Sequence, residues 1–452
     1  MTTSSMNYDV VVLGGGSGGL AAAFRAAAHG ATVAMLEPSA LGGTCVNVGC
    51  VPKKAMWLAA DLAERIALAS ALGFDVPAAP ALSWPQLLQR RQHYITNIHA
   101  SYRKRLAETG VTHIAQHGCL RDAHTVECDD GTRLQARHIV IATGSQALKP
   151  ELPGAELGGV SDDFFAMQAA PARVAIVGGG YIAVELAGVL RALGSEVALL
   201  VRGQSLLDAF DAELVAQLAE NLRMQGVGVH FGCQVQALER QDGRIRARLF
   251  NGPDDALFDN VLFATGRVPN TRGLGLDAAG VALDARGGIV VDAYQNTSVP
   301  GVFAVGDVTG RAMLTPVAVA AARRLMDRLH GGQPEARLDY DNVPSVVFAH
   351  PPLGSVGLSE AAARARFGKV TTYHSRFRPM LQALGDGHGR SVFKLVCAGE
   401  DETVVGIHLL GESADEILQG FAVALKAGVT LQQMRETVAI HPTAAEEVVL
   451  AR

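Results

Sequence analysis

Apolar and polar positions along the chain follow a pattern that predicts strands alternating with helices. Continuous apolar runs at 8–13 and 173–177 predict buried strands, and each precedes a glycine-rich turn and a helical segment rich in small apolar residues. Further apolar runs predict strands at 32–37 and 196–201. This alternation is typical of an α/β fold with parallel sheets.

The first glycine-rich turn has the spacing of a dinucleotide-binding motif. Gly14, Gly16 and Gly19 follow the strand at 8–13, and Glu37 ends the next strand, 23 residues after Gly14. In this motif the first glycine makes the turn, the second lets the backbone approach a pyrophosphate, and the third lets helix and strand pack closely. Glu37 would accept hydrogen bonds from a ribose. The alternative is a tight turn that binds no ligand.

The motif occurs a second time, with a different residue at the end of its second strand. Gly178, Gly180 and Ala183 follow the strand at 173–177, and Arg202 lies 24 residues after Gly178. Two such motifs predict two dinucleotide sites, most simply for a flavin and a nicotinamide nucleotide. A basic residue suits the ribose 2′-phosphate of NADPH. The sequence therefore predicts FAD at the first turn and NADPH at the second.

A pair of closely spaced cysteines predicts redox chemistry. Cys45 and Cys50 lie in the segment 42–54, GGTCVNVGCVPKK, which offers no further Cys or His ligand for a metal. Residues five apart on a regular helix are about 7.5 Å apart along the axis and about 140° apart around it, which a disulfide cannot bridge. We therefore expect an irregular turn, which Gly49 allows, and then a helix that starts at Pro52. A buried, inert pair of thiols is the alternative.

Two lysines follow the cysteine pair at the start of this predicted helix. Positive charge on Lys53 and Lys54, together with the helix N-terminus, would lower the pKa of a nearby thiol. The local charge thus favours a reactive thiol over an inert one.

The segment 42–54 resembles the redox-active segment of the flavin-dependent disulfide reductases, most closely those members that act on glutathione disulfide. The resemblance covers nearly the whole chain. Further matching segments are ATG at 142–144 and 264–266, GVFAVGD at 301–307 and HPTAAEE at 441–447. It implies FAD and NADPH as cofactors, glutathione disulfide as substrate and a homodimer with shared active sites.

The predicted fold class is α/β, with two Rossmann-like dinucleotide-binding domains and a C-terminal α+β dimerisation domain. From about residue 341 the pattern changes to that of an antiparallel α+β domain. The expected domains are an FAD-binding domain with the redox disulfide at 1–144, an NAD(P)H-binding domain at 145–269, a central segment completing the FAD domain at 270–340, and an interface domain at 341–452.

The resemblance also implies catalytic roles. Cys50 would face the flavin, and Cys45 would attack the substrate disulfide. His441, held by Glu446, would come from the partner subunit, keep Cys45 as a thiolate and protonate the leaving thiolate. A histidine near a C-terminus is otherwise often a surface residue.

By the same resemblance, further residues would contact the cofactors. Lys53 would pair with Glu185, Asp307 would bind the ribityl chain, and the helix that begins near Thr315 would point its N-terminus at the flavin pyrimidine ring. Tyr181 would lie over the flavin. The expected cofactor-binding residues are Gly14, Gly16, Ser17, Gly18, Gly19, Glu37, Thr44, Gly118, Thr143, Gly144, Asp307, Thr315, Gly178, Gly180, Tyr181, Ile182, Ala183, Arg202, Gly266 and Arg267.

The substrate prediction rests on charge. Glutathione disulfide is anionic, and Arg25 and Arg323 stand where the glutathione enzymes carry arginines. Phe24 departs from the arginine or asparagine that is common beside Arg25, and 103–105 adds positive charge. A modified glutathione, such as its amide, remains an alternative. The expected substrate contacts are Ser17, Arg25, Tyr94, Tyr102 and Arg323.

Two of these contacts, Tyr94 and Tyr102, lie eight residues apart in a long polar segment, 86–106, that reads as a helix. Packed aromatics on a solvated helix are the alternative interpretation for both tyrosines.

Length, composition and charge narrow the class of protein. A chain of 452 residues suits about three domains, and 49% hydrophobic residues can form large cores. The net charge of −5 gives no electrostatic reason to expect nucleic acid. No apolar run is long enough to span a membrane, and 1–7 lacks the features of a signal peptide. We expect a cytoplasmic protein without a metal site.

Related enzymes provide the nearest alternatives. Dihydrolipoamide dehydrogenases usually have Ser-Lys in place of Lys53-Lys54 and an acid in place of Arg202. Mercuric reductases and large thioredoxin reductases carry additional C-terminal cysteines or selenocysteine, whereas this chain ends VVLAR. A non-catalytic, nucleotide-binding flavoprotein is the alternative from another class. Asp208 stands where NADPH-specific members usually have a second arginine, so the NADPH preference is expected to be weaker.

Overall fold

The computed structural model describes residues 5–76, 82–254, 256–385 and 387–452. The chain divides into two units, each assembled from segments that are distant in the sequence. Unit 1 contains the chain up to Lys53 together with Leu88–Leu148 and Arg267–Asp339. Unit 2 contains Lys54–Leu87, Lys149–Gly266 and Tyr340–Arg452.

Strands and helices alternate through much of the chain. The strands are β1 Ser5–Leu13, β2 Val33–Leu36, β3 Thr112–Ile114, β4 Gly118–Leu120, β5 Thr125–Cys128, β6 Arg133–Ile141, β7 Ser145–Ala147, β8 Gly159–Val160, β9 Arg173–Val177, β10 Glu196–Val201, β11 Gly228–Phe231, β12 Gln234–Gln241, β13 Arg244–Phe250, β14 Leu257–Phe258, β15 Asn260–Phe263, β16 Arg267–Pro269, β17 Val302–Ala304, β18 Ser345–Val347, β19 Leu353–Gly357, β20 Val370–Phe377, β21 Ser391–Ala398 and β22 Thr403–Leu410. The α-helices are α1 Ser17–Ala28, α2 Gly43–Asn47, α3 Cys50–Ala67, α4 Trp84–Thr109, α5 Ser161–Ala166, α6 Tyr181–Ala192, α7 Ala212–Met224, α8 Leu276–Ala279, α9 Thr315–His330, α10 Glu360–Phe367, α11 Met380–Leu384, α12 Ala414–Lys426, α13 Leu431–Glu436 and α14 Glu446–Val449. Short 3₁₀ helices cover Ser70–Leu72, Ala155–Leu157 and Gly306–Thr309.

The main sheet of unit 1 places the ends of several strands at one edge. Its order is β3-β2-β1-β6-β5-β4, with β17 also paired to β6. Leu13 pairs in parallel with Leu36 and with Ile141, and Ile141 pairs with Ala304. The carboxyl ends of β1, β2, β6 and β17 therefore lie together, where parallel α/β sheets bind their ligands.

Both faces of β1 are buried, as expected for a parallel strand. Val10 and Val12 belong to the core that includes α1 and α9, whereas Val11 and Leu13 belong to the core on the opposite face. The alternation follows from the period of two along a strand. The alanine-rich sequence of α1 favours the helix and lets α9 pack closely against it.

Unit 2 contains a second parallel sheet, in the order β11-β10-β9-β15-β8. Val177 pairs with Leu200 and with Phe263, so these strands also end at a common edge. A separate antiparallel sheet, β18-β19-β22-β21-β20, packs against α12 and the C-terminal segment. The predicted fold class, with two parallel nucleotide-binding sheets and a C-terminal α+β part, is confirmed.

Most predicted elements agree with the structure to within a few residues. The polar segment predicted at 86–106 is α4, and the helix predicted near Thr315 is α9, which begins at that residue. No helix in the described ranges is long and apolar enough to cross a membrane.

A buried lysine anchors α7 to the antiparallel sheet within unit 2. The side chain of Lys394 is 3% exposed, and its Nζ lies 3.0 Å from Asp211, 3.1 Å from Glu213 and 2.7 Å from Glu360. Asp211 also caps α7 by accepting from the Glu213 amide. Burial raises the pKa of Asp211, but hydrogen bonds from the Glu360 amide and from Lys394 outweigh burial and hold it below the ordinary 3.8.

We expect Lys394→Met to lower the free energy of unfolding by about 3–5 kcal/mol, because Asp211 and its neighbours would lose their buried counter-charge. Urea unfolding measures this loss, and the exposed Lys369→Met serves as a control that should change stability by less than about 0.5 kcal/mol. Because the folded pKa of Asp211 is lowered, its contribution is present above about pH 4 and disappears as the pH falls through the folded value. A variant as stable as the control at pH 7 would contradict the prediction.

Candidate active site

The two cysteines lie on either side of a break between helices. Cys45 is in α2, Cys50 is the first residue of α3, and Val48 has φ −143°, which is not helical. Gly49 is needed at the break because a Cβ there would lie 2.7 Å from the Thr44 carbonyl oxygen. The predicted irregular turn is confirmed, but α3 begins two residues earlier than Pro52.

Both cysteines are free thiols in this structure, with Cys45 partly buried and Cys50 exposed. A hydrogen bond with Cys50, burial and the charge of Cys50 raise the pKa of Cys45 well above its ordinary value, although the Thr315 and Ser17 hydroxyls oppose this shift. The expected lowering of the thiol pKa is therefore wrong for Cys45 when both thiols are reduced. One reason is that Lys54 does not direct its charge to the sulfur: its Nζ lies 3.0 Å from Asp415 and 3.8 Å from the centroid of the Trp57 ring.

Asn47 fixes the backbone between the two cysteines. Its side-chain amide donates to the carbonyl oxygens of Ala40, Leu41 and Gly43, at 3.3, 3.2 and 2.9 Å. Its Oδ1 lies 2.8 Å from Nε2 of His99, on α4. The sequence gave no reason to select either residue, because their contact joins positions 52 residues apart.

The first glycine turn has the geometry of a nucleotide cradle. Gly14 has φ +105°, and a Cβ on it would lie 2.5 Å from the Ala142 carbonyl oxygen. A Cβ on Gly19 would overlap the Gly14 carbonyl oxygen at 1.9 Å. The Gly15 amide donates to Glu37 at 2.8 Å, which holds the carboxylate beside the turn.

Ser145 joins two of the predicted cofactor residues. Its hydroxyl donates to Asp307 at 2.8 Å, and Arg267 Nε donates to the same hydroxyl at 2.9 Å. Nearby, the Thr143 hydroxyl donates to the Asn270 carbonyl oxygen at 2.7 Å. The structure thus places Asp307, Arg267 and Thr143 at one edge of the unit 1 sheet, and Ser145 is a residue that the sequence prediction missed.

The other predicted residues of unit 1 occupy distinct positions around this edge. The Cys50 sulfur lies 3.7 Å from Thr315 Oγ1, at the N-terminus of α9. Gly118 is buried, and a Cβ there would lie 2.7 Å from Leu13 and 2.8 Å from Leu36, where β1 and β2 end. Gly144 follows β6 with φ +72°.

The predicted substrate residues do not share one environment. Ser17, at the start of α1, hydrogen-bonds Cys45. Tyr102 packs against the core of α1 and α9, whereas the Tyr94 side chain is 61% exposed. Arg323 is exposed on α9. Arg25 instead forms an ion pair with Asp327, which also lies 2.8 Å from His29 Nε2.

The second glycine turn repeats the first within unit 2. Gly178 has φ +141°, and a Cβ on it would lie 2.3 Å from the Ala264 carbonyl oxygen. A Cβ on Gly180 would meet open space at the start of α6, where Tyr181 is 43% exposed. Ile182 and Ala183 follow in α6, with Ala183 fully buried. Gly266, at the end of unit 2, also faces open space.

Glu185 is buried in α6, and its Oε1 accepts from the Phe348 amide at 2.8 Å. The expected partner, Lys53, belongs to unit 1, so their pairing stays a prediction.

The loop after β10 lies against this second turn. The Leu207 amide donates to the Gly179 carbonyl oxygen at 2.8 Å, and Leu206 and Leu207 are buried. Leu207 has φ +48°, an unfavourable conformation for a branched residue. Arg202 and Asp208 are exposed on either side of these leucines. The loop thus presents both charged residues beside the turn.

His441 and Glu446 form the predicted pair. His441 Nδ1 lies 3.2 and 3.1 Å from the two carboxylate oxygens of Glu446, and the Thr443 amide donates to the same carboxylate at 3.2 Å. With Nδ1–H donating to the carboxylate, Nε2 is the ring atom that can exchange a proton. The His441 side chain is 80% exposed, and Val438 and Ile440 beside it are 90% and 75% exposed. Such apolar exposure marks a surface that another chain covers.

Family comparisons agree with this geometry. Residues 8–322 match the family model described as pyridine nucleotide-disulphide oxidoreductase. Residues 343–452 match the dimerisation domain of the same family. The chain belongs to the pyridine nucleotide-disulphide oxidoreductases. The resemblance inferred from the sequence is therefore confirmed.

Two curated relatives cover this family member from end to end. The glutathione reductases of Yarrowia lipolytica and Schizosaccharomyces pombe are each 43% identical to it, and each alignment covers 99% of both chains.

The residues at both turns fit the two nucleotides that a pyridine nucleotide-disulphide oxidoreductase of this type uses. Helices α1 and α6 begin at Gly16 and Gly180, which offer no side chain to cap the first N–H groups. Such free N–H groups and the helix dipole suit a pyrophosphate. Glu37 beside the first turn suits a ribose hydroxyl, and Arg202 beside the second suits a 2′-phosphate. No group of three or more metal-binding side chains occurs among the residues that the structure describes.

Proposed function

We propose that this chain is an FAD-dependent enzyme that reduces glutathione disulfide to glutathione with NADPH. The observation that carries the proposal is the hydrogen-bonded pair of Cys45 and Cys50 at the edge of a nucleotide-binding sheet. Full-length similarity to two glutathione reductases supports this substrate. The protein works as a homodimer, in keeping with its dimerisation domain.

The cofactors are held at the two glycine turns. FAD would lie on the first turn, with Glu37, Thr143 and Asp307 along it and Thr315 at its pyrimidine end. NADPH would lie on the second turn, with Arg202 at its 2′-phosphate. When bound, FAD supplies the transfer of two electrons from NADPH to the disulfide of Cys45 and Cys50. The other cofactor contacts proposed are Gly14, Gly16, Ser17, Gly18, Gly19, Thr44, Gly118, Gly144, Gly178, Gly180, Tyr181, Ile182, Ala183, Gly266 and Arg267.

Cys45 then performs the exchange with substrate. Its thiolate attacks one sulfur of glutathione disulfide, forms a mixed disulfide and expels the first glutathione as a thiolate. Cys50 attacks Cys45 in the mixed disulfide, which releases the second glutathione and restores the protein disulfide. The two electrons of the dithiol pass to the substrate, and two protons complete the two thiols.

His441 of the partner subunit manages these protons. Its Nε2 accepts the proton of Cys45, whose pKa is raised in the dithiol, and returns it to the leaving glutathione. Glu446 orients the ring and stabilises the imidazolium. Lys53 and Glu185 complete the proposed catalytic set, and Arg25, Tyr94, Tyr102 and Arg323 the substrate contacts.

The proposed domains follow from these assignments. The FAD domain comprises 1–144 and is completed by 270–340, the NAD(P)H domain comprises 145–269, and the interface domain comprises 341–452. We place the enzyme in the cytoplasm.

Anaerobic titration tests the function directly. NADPH should bleach the yellow enzyme, and glutathione disulfide should restore the colour with two glutathiones released per disulfide. A panel with lipoamide and glutathione amide disulfide ranks the substrates by kcat/KM. Better turnover of lipoamide would favour the dihydrolipoamide dehydrogenase alternative. A protein that binds NADPH but reduces none of these disulfides would be the non-catalytic flavoprotein.

The two cysteines should differ in their effect on the absorbance of the bound flavin. We expect Cys45→Ser to retain a long-wavelength band from the Cys50 thiolate beside the ring, because Cys50 lies at the α9 N-terminus. Cys50→Ser should lose the band, and both variants should lose disulfide reduction. Anaerobic spectra between pH 6 and 9 measure this difference. Retention of the band only in Cys50→Ser would reverse the assignment.

A further inference from the structure

One face of α1 extends from the reactive thiol to an arginine of α4. Ser17, Ala21 and Phe24 share this face by their helical spacing, and Ser17 hydrogen-bonds Cys45. The guanidinium carbon of Arg105 lies 4.4 Å from the centroid of the Phe24 ring. Phe24 is only 7% exposed, so the ring is a fixed support for the guanidinium.

Tyr102 places the same arginine close to the reactive thiol. It lies one turn before Arg105 on α4 and packs against the core that contains Ala21 and Phe24. Burial and the neighbouring Cys45 raise the pKa of Tyr102, and the charge of Arg105 opposes this shift. The tyrosine hydroxyl therefore lies within electrostatic range of both groups.

The guanidinium of Arg105 is oriented but has no anionic partner in the described part of the chain. Arg105 is exposed and forms no ion pair there, whereas Arg25 is paired with Asp327 and Lys104 lies 3.7 Å from Glu108. A guanidinium stacked on a ring keeps its N–H groups free at the edge, in the geometry that binds a carboxylate with two hydrogen bonds.

We propose that Arg105, supported by Phe24, binds a carboxylate of glutathione disulfide and sets the preference for this anionic substrate. The assignment rests on the proposed function. Ser17 and Phe24 are about 10 Å apart along α1, and two residues of an extended peptide span about 7 Å. A glutathione whose sulfur meets Cys45 therefore has a carboxylate within the reach of Arg105. This residue supplies the charge that Arg25 spends on Asp327.

Arg105→Gln is expected to raise KM for glutathione disulfide about tenfold or more, with kcat changed less than about threefold. The loss falls on KM because the carboxylate is bound equally in the ground and transition states. Arg105→Lys should recover part of the loss, since it keeps the charge but not the planar fork. Phe24→Leu should give an intermediate KM by removing the support of the guanidinium.

Arg103→Gln is the matched control, because Arg103 is exposed on the same helix two residues away. It should leave KM for glutathione disulfide within about twofold, and KM for NADPH should stay unchanged in all variants. The KM of the parent enzyme should rise with salt more steeply than that of Arg105→Gln. A structural defect would change kcat, the flavin spectrum and KM for NADPH together.

Glutathione amide disulfide shows which carboxylate is bound. If the effect of Arg105→Gln disappears with this substrate, Arg105 binds the glycine carboxylate, and if it persists, Arg105 binds the γ-glutamyl carboxylate. Equal KM values in Arg105→Gln and Arg103→Gln, with a parent enzyme active on glutathione disulfide, would overturn the assignment. A parent enzyme inactive on glutathione disulfide would refute the proposed function instead.

Discussion

Mixing two inactive variants should restore about one quarter of the activity of the parent enzyme. Cys45→Ser lacks the attacking thiol, and His441→Ala lacks the acid–base group, so each homodimer should lose about 10²–10⁴-fold or more in kcat. If each active site takes Cys45 from one subunit and His441 from the other, a hybrid dimer has one intact site and one doubly defective site. Random exchange makes half the dimers hybrids, which gives the value of one quarter.

The structure supports a shared site through the surface around His441. The exposed Val438 and Ile440 flank the histidine within the segment that matches the dimerisation domain. Glu446 holds the ring from within the same chain, so the pair can act as a preformed acid–base group for another subunit.

The exchange experiment needs independent proof that hybrids form. Differently tagged variants, separated after exchange, give the hybrid fraction, and each homodimer carried alone through the same treatment gives the background. Hybrids without activity would show that the site does not combine Cys45 and His441 from different subunits.

Arg202→Ala should reduce the preference for NADPH over NADH by about 10–150-fold, toward unity. The arginine is exposed beside Gly180 and has no ion pair among the described residues, so it is available to the 2′-phosphate. A charge-assisted hydrogen bond of this kind contributes about 1.5–3 kcal/mol, and each 1.4 kcal/mol is about tenfold in relative efficiency. Ratios of kcat/KM for the two nucleotides measure the change. Arg240→Ala, at an exposed arginine of β12, is the control.

Asp208→Arg should shift the preference in the opposite direction, by about tenfold or more. The buried leucines and the hydrogen bond to Gly179 hold the loop, so Asp208 is fixed at its far side. Asp208→Asn separates the removal of repulsion from the gain of a new contact, and it should give a smaller increase. An unchanged ratio in Asp208→Arg would show that the aspartate does not contact the phosphate. A parent enzyme that already favours NADH would contradict the role of Arg202.

The sequence predicted features that depend on neighbouring residues. The turns at Gly14 and Gly178 follow from strand, glycine and helix patterns within about 25 residues. The irregular turn between Cys45 and Cys50 follows from helix geometry alone. These are local relations, and a single chain displays them directly.

Features that depend on distant contacts were not predictable in the same way. The ion pair of Arg25 joins positions 302 residues apart, and it changes an expected substrate arginine into a residue whose charge is compensated. The support of Arg105 by Phe24 also needs two helices to meet. The raised pKa of Cys45 depends on its actual burial and partners, whereas sequence shows only that two lysines follow in the chain.

The hydrogen bonds of Asn47 have a kinetic consequence. They hold the backbone carbonyls of Ala40, Leu41 and Gly43 and do not involve a sulfur atom, so they can persist whether the cysteines are bonded or free. The sulfurs must separate and rejoin in every turnover, and with the chain held in place they do so by rotation about their own side-chain bonds. Such rotations take picoseconds to nanoseconds, whereas loop rearrangements reach microseconds. We therefore expect thiol–disulfide exchange in this enzyme to proceed without waiting for movement of the chain.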